Sequence, residues 1–300
     1  MECVMDKVYI SDAGSRDGIP YVRLSGTGNF SVFKTFDCGQ CFRFDPANTS
    51  DGYAVSGVAF GRHVTFSENA DGITILGSNE NDYKNVWERY LSLDTDYDEI
   101  DKLVTTALDE DGCAVMCRAA EAGRGIRILR QEPWEALCSF IISQNNNIPR
   151  IKKIISSLSE KFGEKTADGR GFTFPTAKAL ADAGEEELFA LKTGFRAKYI
   201  YDAARRVADG ELDLDKVVAA ETYEEAESEL MKIKGVGPKV AACALLFGFG
   251  KTEAYPIDTW MKKVAERHFK TPPDPKLFGK AAGIAQQYLF YMERYINEGK

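Results

Sequence analysis

The stretch between Thr222 and Gly248 constrains the fold most, because two helical patterns meet there across a glycine turn. Thr222 and Glu225 have capping-box spacing, which predicts a helix that begins near Thr222 and stops at Gly235. Pro238 suits the first position of a second helix, which apolar residues continue to Gly248. We therefore expect two helices joined by a short, rigid hairpin.

The turn Gly235-Val236-Gly237 can present backbone N–H groups to a ligand, since glycine permits a positive φ and a close approach. The start of the second helix leaves further N–H groups unpaired at the positive end of the helix dipole, and such a combination binds phosphate. The same turn is equally typical of plain helix packing. Only the neighbouring residues separate these two interpretations.

Lys239 lies in the first turn of the second helix, and Tyr255-Pro256-Ile257-Asp258 follows a glycine-rich loop. This arrangement resembles the helix-hairpin-helix DNA glycosylase superfamily. The resemblance implies that Lys239 marks a member that removes bases through a covalent enzyme intermediate, with Asp258 as the second catalytic group. A lysine that only forms a salt bridge with Asp258 is the alternative.

Further motifs indicate which family within this superfamily the chain resembles. The amide run from Ser143 to Asn147 follows an apolar helix that begins at Pro133, and such a run gains little from packing unless its side chains bind something. Together with Gly39-Gln40 upstream and Cys243 downstream, it resembles the 8-oxoguanine DNA glycosylases of the animal and fungal type. The resemblance extends from about residue 21 to residue 295, nearly the whole chain.

The family resemblance implies a role for each of these residues. It assigns the lesion-base pocket to Gly39, Cys243, Gln286 and Phe290, contacts with DNA and the opposite base to Asn145, Arg150, Phe195 and Arg196, and hairpin phosphate contacts to Gly235, Val236 and Gly237. In this scheme the carbonyl of Gly39 accepts the N7–H that oxidised guanine has and guanine lacks, a difference of about 1–3 kcal/mol. Asn145 and Phe195 fill the gap left by the flipped base.

For each of these residues, a purely structural or less specific role remains open. Gly39-Gln40 is also typical of an exposed turn that enters a strand. Phe195 and Phe290 are typical of core residues, and either arginine is as typical of a phosphate contact as of a base contact. Two positions depart from the animal enzymes, which have Tyr at Phe195 and His at Trp260.

Cys243 lies four residues after Lys239 and therefore on the same face of the helix. The resemblance implies a Lys–Cys ion pair, which would keep the amine charged. Burial and the helix N-terminus favour the neutral, nucleophilic amine. The sequence leaves open which influence prevails.

The fold class is α+β. Residues 21–77 alternate β-branched or aromatic residues with polar ones between turn signals, which predicts an antiparallel sheet, and helical patterns begin at Val86. Glycines at 112, 123 and 125 predict loops. We expect an N-terminal antiparallel-sheet domain with trailing helices (1–132), TATA-binding-protein-like by resemblance, and a mainly helical helix-hairpin-helix Gly/Pro-Asp glycosylase domain (133–300).

Composition excludes several classes of protein. A formal net charge of −8 argues against DNA binding by bulk electrostatics, so any DNA contact must use a local face. Seven scattered cysteines and two histidines predict no disulfide framework, metal or other cofactor, despite the CxxC of Cys38 and Cys41. No long apolar run or signal-peptide pattern occurs, so we expect no membrane contact and a monomer in the cytoplasm near the nucleoid, or in the nucleus of a eukaryote.

The expected function is that of a bifunctional DNA glycosylase/AP lyase that flips 8-oxoguanine out of double-stranded DNA in base excision repair. One alternative is a glycosylase for other oxidised or alkylated bases, with the same Lys239 and Asp258 but a different pocket. The other is a non-catalytic DNA-binding protein that uses the hairpin as a phosphate clamp.

Overall fold

The structure is a computed structural model that describes residues 8–49, 52–297 and 299. Its first part is an antiparallel sheet in the order β1-β2-β6-β5-β4-β3. The strands are β1 (Tyr9–Arg16), β2 (Ile19–Ser25), β3 (Phe44–Thr49), β4 (Gly52–Ala59), β5 (Arg62–Asn69) and β6 (Gly72–Leu76). The predicted antiparallel sheet is thereby confirmed. Residues 1–7, where the expected N-terminal domain begins, lie outside the described residues.

One face of the sheet buries the alternating apolar side chains of β2, β5 and β6 against an aromatic layer. Phe66 of β5 lies 5.1 Å, ring centre to ring centre, from Phe36 and 5.5 Å from Trp87, which is fully buried. These rings close the sheet core on the side that faces the rest of the molecule. The sheet is therefore a packed unit with its own core.

The rest of the described chain is mainly helical. The α-helices are α1 (Val32–Asp37), α2 (Glu80–Asp82), α3 (Glu88–Tyr90), α4 (Tyr97–Thr106), α5 (Glu110–Gly123), α6 (Pro133–Ser143), α7 (Ile148–Phe162), α8 (Ala177–Leu188), α9 (Ala197–Ala208), α10 (Leu214–Ala219), α11 (Tyr223–Leu230), α12 (Pro238–Gly248), α13 (Thr259–His268) and α14 (Ala282–Tyr291). Single π-helical or 3₁₀ turns join or extend several of them, including Met292–Asn297 after α14. Within the described chain, no helix has the length and apolar character to cross a membrane.

The helical core is built around α6, α12 and α14, each of which is buried almost along its whole length. Helices α4 and α5 pack on α14 and belong to this core, although they lie before residue 133. The predicted domain boundary between residues 132 and 133 remains a prediction.

Gly112 does not mark a loop, contrary to expectation, because it lies within α5, whereas Gly123 is the last residue of α5 and a turn follows it. A Cβ at Gly123 would lie 2.3 Å from the ring of Tyr288, so this glycine permits close packing of α5 on α14. Only Gly125, with φ +98°, occupies the loop after α5. Gly123 therefore also serves packing, a non-local role that a loop signal does not distinguish.

The segment 37–44 runs along the seam between the two cores. Cys38 and Phe42 are buried in the helical core, whereas Cys41 and Phe44 are buried in the sheet core. Gln40 is fully buried, which corrects the predicted exposed Gly-Gln turn. Its Nε2 donates to the carbonyls of Thr35 and Arg127, both at 2.8 Å, and its Oε1 accepts from the backbone N–H of Leu129 at 2.8 Å. The buried side-chain amide of Gln40 thus has all these hydrogen bonds satisfied, and it links the seam to the segment around residues 127–129.

Candidate active site

The predicted hairpin is present between α11 and α12. Thr222 caps α11 and forms a capping box with Glu225, while Gly237 precedes α12 and Pro238 occupies its first position. Helix α11 ends at Leu230, before the predicted stop at Gly235, and a turn covers the intervening residues. Gly235 has φ +80°, and a Cβ there would lie 2.5 Å from the ring of Tyr199, so both conformation and space require glycine.

The three residues predicted to contact phosphate differ in what their amides do. Val236 is buried, and its N–H donates to the carbonyl of Ile233 at 3.1 Å, so that amide is occupied. Gly235 is exposed and Gly237 half-buried, and neither N–H has a partner within the described residues. The geometry therefore offers the two glycine amides, together with the first turn of α12, as an anion-binding surface.

A cavity of about 1,010 Å³ lies beside the hairpin. It brings together ten of the predicted site residues, namely Gly39, Asn145, Phe195, Gly235, Gly237, Lys239, Cys243, Asp258, Gln286 and Phe290. Residues from six separate segments of the chain therefore share one cavity. Arg150, Arg196 and Val236 are not among its lining residues.

Lys239 and Asp258 line the cavity from different elements. Lys239 lies in the first turn of α12, and Asp258 is the N-cap of α13. The Oδ1 of Asp258 accepts the N–H groups of Trp260 and Met261, both at 2.9 Å. Among the described residues, Asp258 makes no ion pair with Lys239, so the interpretation of the lysine as a simple salt-bridge partner has no support in this geometry.

Cys243 is 6% exposed and lines the same cavity. Burial raises the pKa of its thiol to about 11, although nearby Lys239 acts in the opposite direction. The thiol is therefore neutral at pH 7 in this conformation. Burial thus opposes the Lys–Cys ion pair that the resemblance implies.

The far wall of the cavity comes from α14 and the seam. Gln286 is 5% exposed, and its Oε1 is buried without a hydrogen-bond partner in the described part of the chain. Phe290 lies one turn later on the same face. Gly39, at φ +81°, lines the same cavity from the seam. An unsatisfied buried acceptor in a cavity wall can accept a hydrogen bond from a donor that enters the cavity.

The amide run forms the turn between α6 and α7. Asn147 caps α7 by accepting the N–H of Arg150 at 3.0 Å, and Asn146 donates to the carbonyl of Ile142 at 3.0 Å. Asn145 is exposed and has φ +46°, a conformation that few non-glycine residues adopt. Two of the three asparagines thus shape the turn, and Asn145 projects from it.

Phe195 is 47% exposed and not a core residue, as a side chain that enters a base stack requires. Arg196 differs from expectation, because it is only 2% exposed. Its guanidinium donates to the carbonyls of Gln144 and Asn145, the latter at 2.8 Å. These hydrogen bonds hold the guanidinium inside the protein, so Arg196 supports the turn that carries Asn145. Arg150 remains the exposed arginine beside this turn.

Gln287 and Arg294 are among the cavity residues that sequence reasoning missed. The guanidinium of Arg294 lies 5.6 Å from the ring centre of Phe290 and 5.9 Å from that of Trp260. Arg294 follows Phe290 by four residues, so helical spacing from the predicted pocket residues could have found it. Arg294 therefore places a positive charge near Trp260, the position at which the animal enzymes have His.

Two protein-family models match the chain. The 8-oxoguanine DNA glycosylase N-terminal domain matches residues 24–137, and the HhH-GPD superfamily base excision DNA repair protein model matches residues 138–282. The two matches together cover both the sheet and the helical part that carries the cavity.

Sequence relatives and a solved structure point the same way. An N-glycosylase/DNA lyase of Saccharomyces cerevisiae is 39% identical over 160 residues, which cover 49% of this chain and 43% of that protein. The N-glycosylase/DNA lyase OGG1 of Arabidopsis thaliana is 36% identical over 57% of this chain and 52% of its own length. The chain thus spans about half the length of these curated relatives. A Clostridium acetobutylicum 8-oxoguanine glycosylase/lyase, solved with double-stranded DNA, is 37% identical, with a TM-score of 0.85 over 96% of this chain and 99% of that one.

Proposed function

Because the chain belongs to the 8-oxoguanine DNA glycosylase family, we propose that it excises 8-oxoguanine from double-stranded DNA and then cleaves the DNA strand. One observation carries the proposal: a lysine at a helix N-terminus, a carboxylate and the amide turn line one cavity large enough for a flipped base. The two alternatives share parts of this arrangement and make different predictions.

Lys239 is the nucleophile in this proposal. The free electron pair of its Nζ forms a bond to C1′ of the deoxyribose as the bond from C1′ to N9 breaks, and the electron pair of that bond leaves with the base, which takes up a proton. Asp258, which does not hold Lys239 in an ion pair, stabilises the positive charge that develops on the sugar and accepts a proton from the amine. Only one of its two oxygens serves the helix cap.

The covalent product then rearranges to a Schiff base between Lys239 and the opened sugar. Removal of a proton from C2′ shifts electrons toward the imine and breaks the bond from C3′ to oxygen, so the 3′ phosphate leaves as the leaving group. Hydrolysis of the imine returns the free lysine. No metal or redox partner is needed to balance these steps.

The rest of the cavity recognises the lesion and the DNA. Gln286 hydrogen-bonds the Watson–Crick edge of the flipped base, Phe290 packs on its face, and the carbonyl of Gly39 accepts N7–H. Asn145 and Phe195, both exposed beside the cavity, occupy the space that the base leaves.

The contacts that surround this site complete the proposal. Arg150 is available to the partner base or a phosphate, and Arg196 acts indirectly by holding the turn of Asn145. Backbone amides of Gly235 and Gly237 grip phosphate, which suits a protein of net charge −8. We further propose a monomer that acts on chromosomal DNA, in the nucleoid or a nucleus.

Borohydride trapping on a duplex with 8-oxoguanine opposite cytosine tests this function. Wild type should give a covalent protein–DNA adduct, since borohydride reduces the Schiff base, and Lys239→Gln should give none. Lys234→Gln is the matched control, because Lys234 is an exposed lysine of the same hairpin that does not line the cavity.

The alternatives give other results. A non-catalytic clamp would bind the duplex and yield no adduct with wild type. A sister glycosylase would release 3-methyladenine faster than 8-oxoguanine from damaged DNA. Either result would overturn the proposed substrate or chemistry.

A further inference from the structure

The backbone carbonyls on either side of Gly39 each accept a hydrogen bond from a different side chain. The carbonyl of Asp37 accepts from the hydroxyl of Tyr295 at 2.5 Å, and that of Cys38 accepts from Nε2 of Gln287 at 3.1 Å. The carbonyl of Gln40 accepts from Nε2 of Gln131 at 2.7 Å. Within the described chain, the carbonyl of Gly39 alone in this run of four has no donor.

This pattern is informative because buried carbonyls are nearly always paired. The loop is buried on both sides of Gly39, with Cys38 1% and Gln40 0% exposed, yet Gly39 itself lines the cavity. Its φ of +81° turns this peptide differently from its neighbours. A carbonyl left unpaired in such a loop is placed to accept a bond from whatever fills the cavity.

Two of the three donors belong to the C-terminal helix and the turn that follows it. Gln287 lies next to Gln286 on α14 and both line the cavity, but Nε2 of Gln287 donates to the loop carbonyl of Cys38. Gln287 is 2% exposed, and Tyr295 lies two turns later. The helix that carries the pocket residues thus also holds the loop that faces them.

We propose that Gln287 and Tyr295 are positioning residues for lesion recognition. They hold the peptides on the N-terminal side of Gly39, and so keep its carbonyl at a fixed distance from Gln286 and Phe290. The inference rests on the proposed function and deepens it: without this clamp the chain keeps its chemistry at the sugar and loses selectivity for a base with an N7–H donor.

The test separates base recognition from sugar chemistry. Single-turnover excision is measured on 8-oxoguanine opposite cytosine, and strand cleavage on a duplex that already contains an abasic site, where no base needs recognition. Gln287→Met keeps the length and packing of the side chain and removes its donor, and Tyr295→Phe removes only the hydroxyl. Each substitution should lower the single-turnover excision rate about 3- to 12-fold relative to wild type, which corresponds to the loss of one neutral hydrogen bond. The rate of abasic-site cleavage should stay within about twofold of wild type.

A matched control lies on the same helix. Tyr288→Phe removes the hydrogen bond from the Tyr288 hydroxyl to Asp101 of α4 at 2.8 Å, which does not involve the Gly39 loop. It should leave the ratio of excision to abasic-site cleavage unchanged. If Gln287→Met lowers both activities equally, as a general loss of stability would, or lowers neither, the clamp is refuted. If wild type fails to excise 8-oxoguanine, the proposed function fails first.

A binding measurement adds a second readout. In the Lys239→Gln background, the preference for a duplex with 8-oxoguanine over one with guanine should fall by the same factor when Gln287→Met is added. An unchanged preference would contradict a role in recognition.

Discussion

The close contact between Gly235 and Tyr199 leads to a prediction of how the hairpin is held. Gly235 has φ +80°, and a Cβ there would lie 2.5 Å from three ring atoms of Tyr199. Gly210 has φ +75° with no atom within 4 Å of an added Cβ. Alanine at Gly210 therefore carries only the conformational penalty, whereas alanine at Gly235 carries the same penalty and a steric one.

The magnitudes can be worked separately. The left-handed conformation costs an alanine about 1–2 kcal/mol, and the reduced freedom of the unfolded chain returns about 0.4–1 kcal/mol. Gly210→Ala should therefore lower the free energy of unfolding by roughly 1 kcal/mol. Displacement of the Tyr199 ring adds about 1–3 kcal/mol, as overpacking does in cores, so Gly235→Ala should cost roughly 2–4 kcal/mol.

Urea unfolding of the two variants and of a double-mutant cycle with Tyr199→Ala measures these terms. The cycle should show a coupling energy of about 1–3 kcal/mol, because the double variant has no ring to displace. Equal costs for Gly235→Ala and Gly210→Ala, or no coupling with Tyr199, would refute the steric argument.

The steric clash in Gly235→Ala should also move the hairpin N–H groups of Gly235 and Gly237, which we propose bind phosphate. Fluorescence anisotropy with a lesion duplex should show affinity about tenfold or more weaker for Gly235→Ala, the equivalent of one hydrogen bond to a charged group, and unchanged for Gly210→Ala. Normal affinity of a folded Gly235→Ala variant would show that the hairpin does not grip phosphate.

Four further predictions follow from the site and its surroundings. Asp258→Asn should retain the cap of α13 and lesion binding but lose excision by orders of magnitude in single-turnover assays, whereas Asp258→Ala should also lose about 1 kcal/mol of stability. Burial raises the pKa of Glu135 to about 7, so its neutral form stabilises the fold fully below about pH 4.5 and this contribution disappears as pH rises through 7. Glu135→Gln should therefore gain up to about 3 kcal/mol relative to wild type between pH 5 and pH 8 in urea unfolding. Iodoacetamide at pH 8 should label exposed Cys117 well before Cys243, and rapid labelling of Cys243, read by mass spectrometry, would instead indicate a thiolate. Arg294→Ala should weaken DNA binding and reduce the slope of log affinity against log salt by about 1 if its guanidinium meets a phosphate, and an unchanged slope would exclude that contact.

Local signals in the sequence predicted much of the site. The capping box at Thr222, the proline at the start of α12 and the alternation of the strands all follow from short-range chemistry, and the structure contains each of them. Lys239 and Asp258 could be assigned to one site because the family resemblance places them together. Their spacing in the sequence alone does not. The shared cavity agrees with that pairing.

The parts that sequence did not predict depend on partners far along the chain. Arg196 is buried because carbonyls some fifty residues earlier in the chain bind it, and Gln40 because the segment near Leu129 does. Gln287 escaped notice because its partner, the Cys38 carbonyl, lies 249 residues away. The packing role of Gly123 was also missed because its partner, Tyr288, is far away in the sequence.

The seam formed by residues 37–44 has a consequence for how such an enzyme can change. Side chains of this segment belong to different cores, and among the described residues no member of the sheet core lines the cavity. Under the proposed function, recognition of the base therefore depends partly on how the sheet packs against the helices, because Gly39 lies in the seam, whereas Lys239 and Asp258 both belong to the helical part. We expect mutations that shift the sheet relative to the helices to change base selectivity while Lys239 and Asp258 stay in place.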